Sequence, residues 1–472
     1  MATPTVRAPA PPELFARPTQ TPATSRVPLS EVLAALSHAL DLTEGQPVGH
    51  SIRSCLIAMR IARELALDAS SRSALYYAVL LKDAGCSSNA ARIATLFGTD
   101  DRLVKPRMKI VDWHRGFTLA AATFRTAALG GSLGERVQHF LGIARAKNTT
   151  RDLIQIRCDR GAEIARRLGF PNETADAIRS LDEHWNGRGY PDGLRGDAIP
   201  LLSRIANISQ TVEVVHAEHG ADAVTALIKR RRGTWFDPAL VDLVVGWRRD
   251  SAWWSSVRSP DVIAAVVESE PFDSVRVVEG NELEGVARAF ADLIDAKSPY
   301  TYRHSTRVAD LARGTADVAG LDLLSQGRLF RAGLLHDIGK LGVSSRILDK
   351  PAALTPDERM AIERHPLYTW EILSHVSAFA ELAGVASAHH EKLDGSGYPW
   401  GLTAEQLDLP SRILVVADIY EALTADRPYR AGMSREDALA IINRDRGSKL
   451  CAKAIDALEA HTLALAELPT EL

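Results

Sequence analysis

The chain has 472 residues, 46% of them hydrophobic and 24% charged, with a formal charge of −3 from 56 basic and 59 acidic side chains. Such a length exceeds one ordinary core and implies two or three domains, and the near-neutral balance excludes a global field drawing the protein onto a nucleic-acid polymer or an anionic membrane. Four cysteines, Cys55, Cys86, Cys158 and Cys451, form no CxxC pair, which argues against a disulfide framework or thiolate metal site and for a reducing cytoplasm.

In chain order, residues 1–27 read as a disordered Pro-rich tail without the apolar core of a signal peptide. Apolar residues then recur at three- and four-residue spacing through 29–42 and 52–66, which predicts amphipathic helices. A further apolar run ends in "LLKDAGC" (80–86). The stretch from about 94 to 156, including "KIVDWHRGFTLAAATFRTAALGG" (109–131), reads as one or two amphipathic helices with exposed aromatics. It offers a face for homodimer formation, with His114 and His139 in structural roles. Next come "DEHWNGRGYP" (182–191) and the basic run "KRRR" (229–232), the latter a solvated helix end rather than a nucleic-acid patch. The apolar run "VIAAVV" (262–267) falls far short of a membrane span of roughly 20 residues. Beyond a polar linker at 266–282, helical periodicity resumes through 283–296, 305–321 and 370–388.

The second half repeats the first. An offset of 254 positions lays 29–54 over 283–308 and 75–93 over 329–347 without a gap. An offset of 208 then lays "GRGYPDGL" (187–194) over "GSGYPWGL" (395–402), so the first copy carries about 46 extra residues between 94 and 156. The predicted fold is therefore all-α, with two tandem helical modules at 28–265 and 283–472.

In the second module, histidines and aspartates fall in a suggestive series: His304, the pair His336–Asp337, His365, the pair His389–His390, and Asp418. A lone helical histidine is usually a satisfied core or surface residue. Five imidazoles and two carboxylates together are what two borderline-hard divalent ions require, and a two-oxygen Asp337 can bridge them. "HDIGK" follows an apolar helical run that would bury the pair, a costly arrangement unless something such as a metal satisfies it. "HHEKLDGSGYP" (389–399) sets two histidines beside a Gly-rich loop able to approach a ligand closely.

Through "HSTRV", "LLHDIGK", "RHP", "HHEKLDGSGYP", "RILVVADIYEALT" and "DRPYR", the second module resembles an HD-GYP domain, a branch of the HD phosphohydrolase superfamily, over about 283–460. The resemblance implies a helical HD-type fold in both copies, a centre of two or three divalent ions, and hydrolysis of cyclic di-GMP to linear pGpG or to GMP. Iron or manganese is implied first, with zinc, nickel or cobalt as alternatives. Carried over by position, one ion falls to His304, His336, Asp337 and Asp418, and the other to Asp337, His365, His389 and His390, with a hydroxide bridging the two. Asp337 and Lys340 become the catalytic residues, Lys340 over a substrate phosphate, while Tyr398, Arg427 and Arg430 contact phosphate or base. Members with three ions have a glutamate where this chain has Tyr300, and a phenol with a reference pKa of about 10 is a poor ligand, so two ions and a linear product are expected. Hydrolysis of another nucleotide phosphoester and a non-catalytic dinucleotide-sensing scaffold are the competing readings.

The first copy departs at most of these positions. His50 and Asp83 match His304 and Asp337, but Lys82, Arg157, Leu181, Asp182 and Gln210 stand at the other five ligand positions, and Cys86 stands at that of Lys340. One His and one Asp beside two cations cannot hold a dication, so this copy is expected to be inert. Buried pairs of Lys82 with Asp83 and of Arg157 with Asp182 would replace the metals, or an Arg157-lined pocket would sense a nucleotide phosphate.

Overall fold

The three- and four-residue apolar spacing becomes helix except within 370–388, where a turn over 375–379 separates helix His365–Ser374 from Ala380–Ser387. A computed structural model describes residues 26–112, 115–145, 149–259, 261–271, 275–298, 300–426 and 431–467. The tail before Arg26, His114, Arg427 and Arg430 lie outside the described residues. The chain divides into two compact units, Val27–Val278 with Ser344–Arg346, and Glu279–Val343 with Ile347–Leu472. Among the described residues the only strands are Val27–Pro28 and Val277–Val278, paired antiparallel with Val27 opposite Val278, so they close the first unit end to end. The stretch read as a linker thus carries the end of helix Val262–Glu268 and one of these strands.

The internal repeat is visible in the helix ends themselves. Helix His50–Glu64 recurs 254 residues on as His304–Val318, and Ala69–Leu81 as Leu323–Leu335. At the second offset, 208, Asn172–Arg179 recurs as Ala380–Ser387, and the helix opening at Leu201 recurs as the one opening at Leu409. Identical phasing follows from identical local chemistry: Asp68 and Asp322 each cap the next helix, their carboxylates accepting from the backbone N–H of Ser71 and Ser325. The apolar faces pack inward, with Leu75, Val79 and Leu80 of one copy and Leu329, Ala332 and Leu334 of the other fully buried.

The insert forms three helices, Asp101–Lys109, Gly116–Thr126 and Leu133–Arg145, rather than one or two. Phe117 is exposed, whereas Phe124 packs edge-on against Phe140 at 5.7 Å. His139 is structural, its Nδ1 donating to the Leu96 carbonyl at 3.0 Å. The basic run is not a free patch: buried Arg231 lies 3.7 Å over the Trp235 ring, and Arg232 pairs with Asp242 at 2.6 Å. No described helix is long and apolar enough to cross a membrane.

Candidate metal centre

The apolar helix Leu323–Leu335 runs out at His336, and Asp337 opens the 3-10 turn Ile338–Gly342. That turn lies directly against the start of helix His365–Ser374. A Cβ on Gly339 would sit 1.9 Å from the His365 carbonyl oxygen, so only glycine allows the approach. Thr369 clamps the contact, donating from Oγ1 to the His336 carbonyl at 2.8 Å and accepting from the Gly339 N–H at 3.1 Å. His304 opens its helix, His389 and His390 follow Ala380–Ser387, and Asp418 projects from Leu409–Thr424. Five helical segments thus deliver seven side chains to one point.

Asp337 divides its carboxylate between two groups. Its Oδ2 lies 3.4 Å from both His304 Nε2 and His336 Nε2, while Oδ1 lies 3.4 Å from His365 Nε2 and 3.6 Å from His389 Nε2. Asp418 Oδ1 completes the first group at 3.4 Å from His304 and 3.8 Å from His336. His390 joins the second, forming with His365 and His389 a set whose ligand atoms all lie within 4.8 Å. Ligands about 2.1 Å from a shared ion stand roughly 3.0–3.4 Å from one another, so these spacings suit two cation sites joined by Asp337.

Backbone carbonyls fix the imidazoles. His336, His365 and His389 donate from Nδ1 to the carbonyls of Gly333, Ile362 and Ala386 at 2.7, 2.6 and 2.7 Å. His304 Nδ1 bonds to Glu421. In each ring the Nε2 lone pair is thereby aimed at the centre, the outer-shell arrangement of metal-ligating histidines. Burial first, and the neighbouring His365 second, hold His390 down at about 3, and His389 is likewise depressed by burial and by His390. Burial would depress His304 too, but Asp337, Asp418 and Glu421 outweigh it and raise it well above the usual histidine range. This local excess of negative charge is what bound cations would balance. Fully buried His336 Nε2 and Asp337 Oδ1 have no hydrogen-bond partner, a cost that ligation would remove. The residues present therefore fit divalent ions.

Lys340 is partly exposed at the rim, its ammonium on Asp337 Oδ2. The ring of half-buried Tyr398 lies 4.8 Å from that of His390, forming a wall of the centre. Tyr300 instead lines a cavity of about 940 Å³ with Arg307, Tyr420 and His461. Sequence reasoning missed Glu421, which also receives Arg307 Nε at 2.7 Å, and Asp295, which accepts from Ser305 Oγ at 2.7 Å. It also missed buried Glu391, whose carboxylate accepts the N–H groups of Trp400, Gly401 and Leu402 at 2.7, 3.1 and 2.9 Å and so shapes the Gly-rich loop.

The corresponding point of the first unit keeps the supports and loses the ligands. Glu213 receives His50 Nδ1 and, at 2.6 Å, Arg53 Nε; Asp41 accepts from Ser51 Oγ at 2.8 Å; a Cβ on Gly85 would sit 1.9 Å from the Arg157 carbonyl oxygen. In place of ligands, Lys82 pairs with Asp83 and Arg157 with Asp182. Two lysines of the insert, invisible to the repeat comparison, add to this. Lys105 binds Glu44 at 3.2 Å, and Lys109 Nζ lies 3.3 Å from His50 Nε2. Glu44, Asp83 and Cys86 do come within 4.8 Å of one another. Lys105 and Lys82 already neutralise both carboxylates, and burial holds the Cys86 thiol well above its ordinary range and so protonated.

Comparison with known proteins gives the family. The HD domain family matches residues 138–240 and 288–453. The chain belongs to the HD phosphohydrolases, in their HD-GYP branch. It is 44% identical over 422 residues, 89% of this chain and 91% of the relative, to "3'3'-cGAMP-specific phosphodiesterase 3" of Vibrio cholerae serotype O1. It is 34% identical over 197 residues, 41% of this chain and 52% of the relative, to a cyclic di-GMP phosphodiesterase response regulator of Xanthomonas campestris pv. campestris. A crystal structure of a cyclic GMP-AMP specific phosphodiesterase of V. cholerae superposes with a TM-score of 0.65 at 38% identity, over 94% of this HD-GYP chain and 99% of that chain.

Proposed function

We propose that the second unit hydrolyses one phosphodiester bond of a cyclic dinucleotide, 3′3′-cyclic GMP-AMP in preference to cyclic di-GMP, releasing a linear dinucleotide. The observation that carries the reaction is Asp337, with one oxygen facing His304 and His336 and the other facing His365 and His389. Two divalent ions held by these residues with Asp418 and His390 would supply Lewis-acid polarisation of the phosphodiester and activation of water. Asp337 orients both halves of the centre, and the carbonyl-anchored histidines keep their lone pairs inward. Lys340 brings a positive charge to the rim, where it meets the charge developing on phosphate. Tyr398 limits the space over His390 and offers an aromatic face to a base.

The choice of substrate is supported by extent of likeness: the cyclic GMP-AMP specific relative matches along 89% of the chain, the cyclic di-GMP relative from Xanthomonas along 41%. The test pairs elemental analysis of purified protein with product chromatography on each cyclic dinucleotide separately. Two ions per chain and faster opening of 3′3′-cyclic GMP-AMP are expected. Equal rates would remove the preference, and turnover by metal-free protein would remove the mechanism.

A further inference from the structure

The first unit encloses a cavity of about 200 Å³ beside its altered centre. Insert and conserved module build it together: Lys109, Leu119 and Ile143 come from the insert helices, Gln210 and Trp235 from the shared fold. Among the described residues the second unit has no counterpart of helices Gly116–Thr126 and Leu133–Arg145, whereas Pro356–Ile362 falls 254 residues after Asp101–Lys109. Apolar side chains such as Leu96, Leu119 and Ile154 share the lining with Lys109, Asn207 and Gln210, and Lys109 lies 3.3 Å from His50 Nε2.

The cations of this region differ in what they have to bind. Lys82 is taken by Asp83, Arg157 by Asp182, Arg53 by Glu213, and Lys105 by Glu44 and Asp101. Arg157, for which a nucleotide phosphate was the alternative to pairing with Asp182, is therefore already satisfied. Among the described residues, no carboxylate lies within ion-pair distance of Lys109, whose neighbour is the His50 imidazole. Burial, followed by the nearby Lys82, keeps His50 well below the usual histidine range and so neutral. Lys109 thus brings a half-buried charge to the cavity with no described acid in ion-pair contact, Asp83 and Glu44 acting on it only from beyond that distance. A buried ammonium is costly unless an anion compensates it.

We propose that this cavity binds a small anionic molecule with a compact apolar body, its carboxylate or phosphate monoester on Lys109 and its body between Leu119, Ile154 and the Trp235 ring. Its volume lies below the roughly 300–1,000 Å³ of ordinary ligand pockets, which excludes a cyclic dinucleotide and separates this site from the substrate. The first unit is on this account a receptor module whose ligand differs from that of the catalytic one.

Isothermal titration of the full chain with 2-naphthoate, 2-naphthyl phosphate and neutral 2-naphthylmethanol tests this. One anion site per chain is expected, at least tenfold tighter than the alcohol, and the stronger of the two anions identifies the head group. Lys109→Met should erase that advantage while the thermal melt stays cooperative, and Asp337→Ala should leave it intact. Leu119→Trp, which fills the cavity, should abolish binding of all three. No saturable anion binding to the unaltered chain, an anion no tighter than the alcohol, or unchanged anion affinity in either cavity variant would overturn the proposal.

Discussion

The two units place the same supports around different contents. In both, a glutamate on the long helix holds the first histidine, an aspartate holds the following serine, and a glycine lets the turn meet the next helix. In the second unit these supports surround five imidazoles and two carboxylates; in the first they surround ammonium and guanidinium groups paired with acids. Lys109 stands over His50 Nε2, where the second unit points the equivalent nitrogen at a candidate ion site. The same scaffold thus surrounds paired organic cations in one unit and a candidate ion centre in the other. The difference lies in the ligands; the scaffold is common.

Substitutions at paired positions break or sharpen that contrast. The largest effect is expected from Asp337→Ala, which should bring turnover to background and strip bound metal together, because both ion groups lose their shared oxygen donor. Asp83→Ala at the matching position should leave metal content and turnover unchanged; metal lost from it would mean that the first unit holds an ion. Asp83→Ala does strand buried Lys82, so denaturant unfolding of the first unit should show a loss of about 3–5 kcal/mol. Lys340→Met, with metal content retained, should lower kcat by roughly 10²–10³, a value read from steady-state kinetics at saturating substrate. Glu421→Gln should weaken metal affinity by about 10–100-fold in competitive chelation, while Glu213→Gln should not alter it. Equal effects from these last two would mean that the glutamates act on overall folding rather than on ligand orientation.

The clustering of the histidines and aspartates was legible because each sits in a short motif, and the offset between copies located the residues at the matching positions. Helix positions were legible for a related reason: the apolar phase of the helices opening at His50 and Leu201 recurs in those opening at His304 and Leu409, and the Asp68 cap recurs as Asp322. The supports were harder to see. Glu421, three residues beyond Asp418, reads in isolation as a surface glutamate on an amphipathic helix, although the matching Glu213 in a copy that lacks the ligands was a usable signal. Lys105 and Lys109 were out of reach, since a lysine's partner depends on how its helix packs, and two of the helices beside it have no match among the described residues of the other copy. The balance of charge around Arg157 was half visible: its pairing with Asp182 was expected, but the lysine left without an acid in ion-pair contact was not.

Glu213 carries a lesson beyond this chain. It still grips His50 and Arg53, and removing it would take the acid partner from both, leaving Arg53 on the Val48 carbonyl at 2.9 Å and His50 beside Lys109 at 3.3 Å. The supports alone therefore do not distinguish the two units. A count of candidate ion centres in a tandem chain has to rest on the atoms that would touch the ion, because the residues behind them are common to both units.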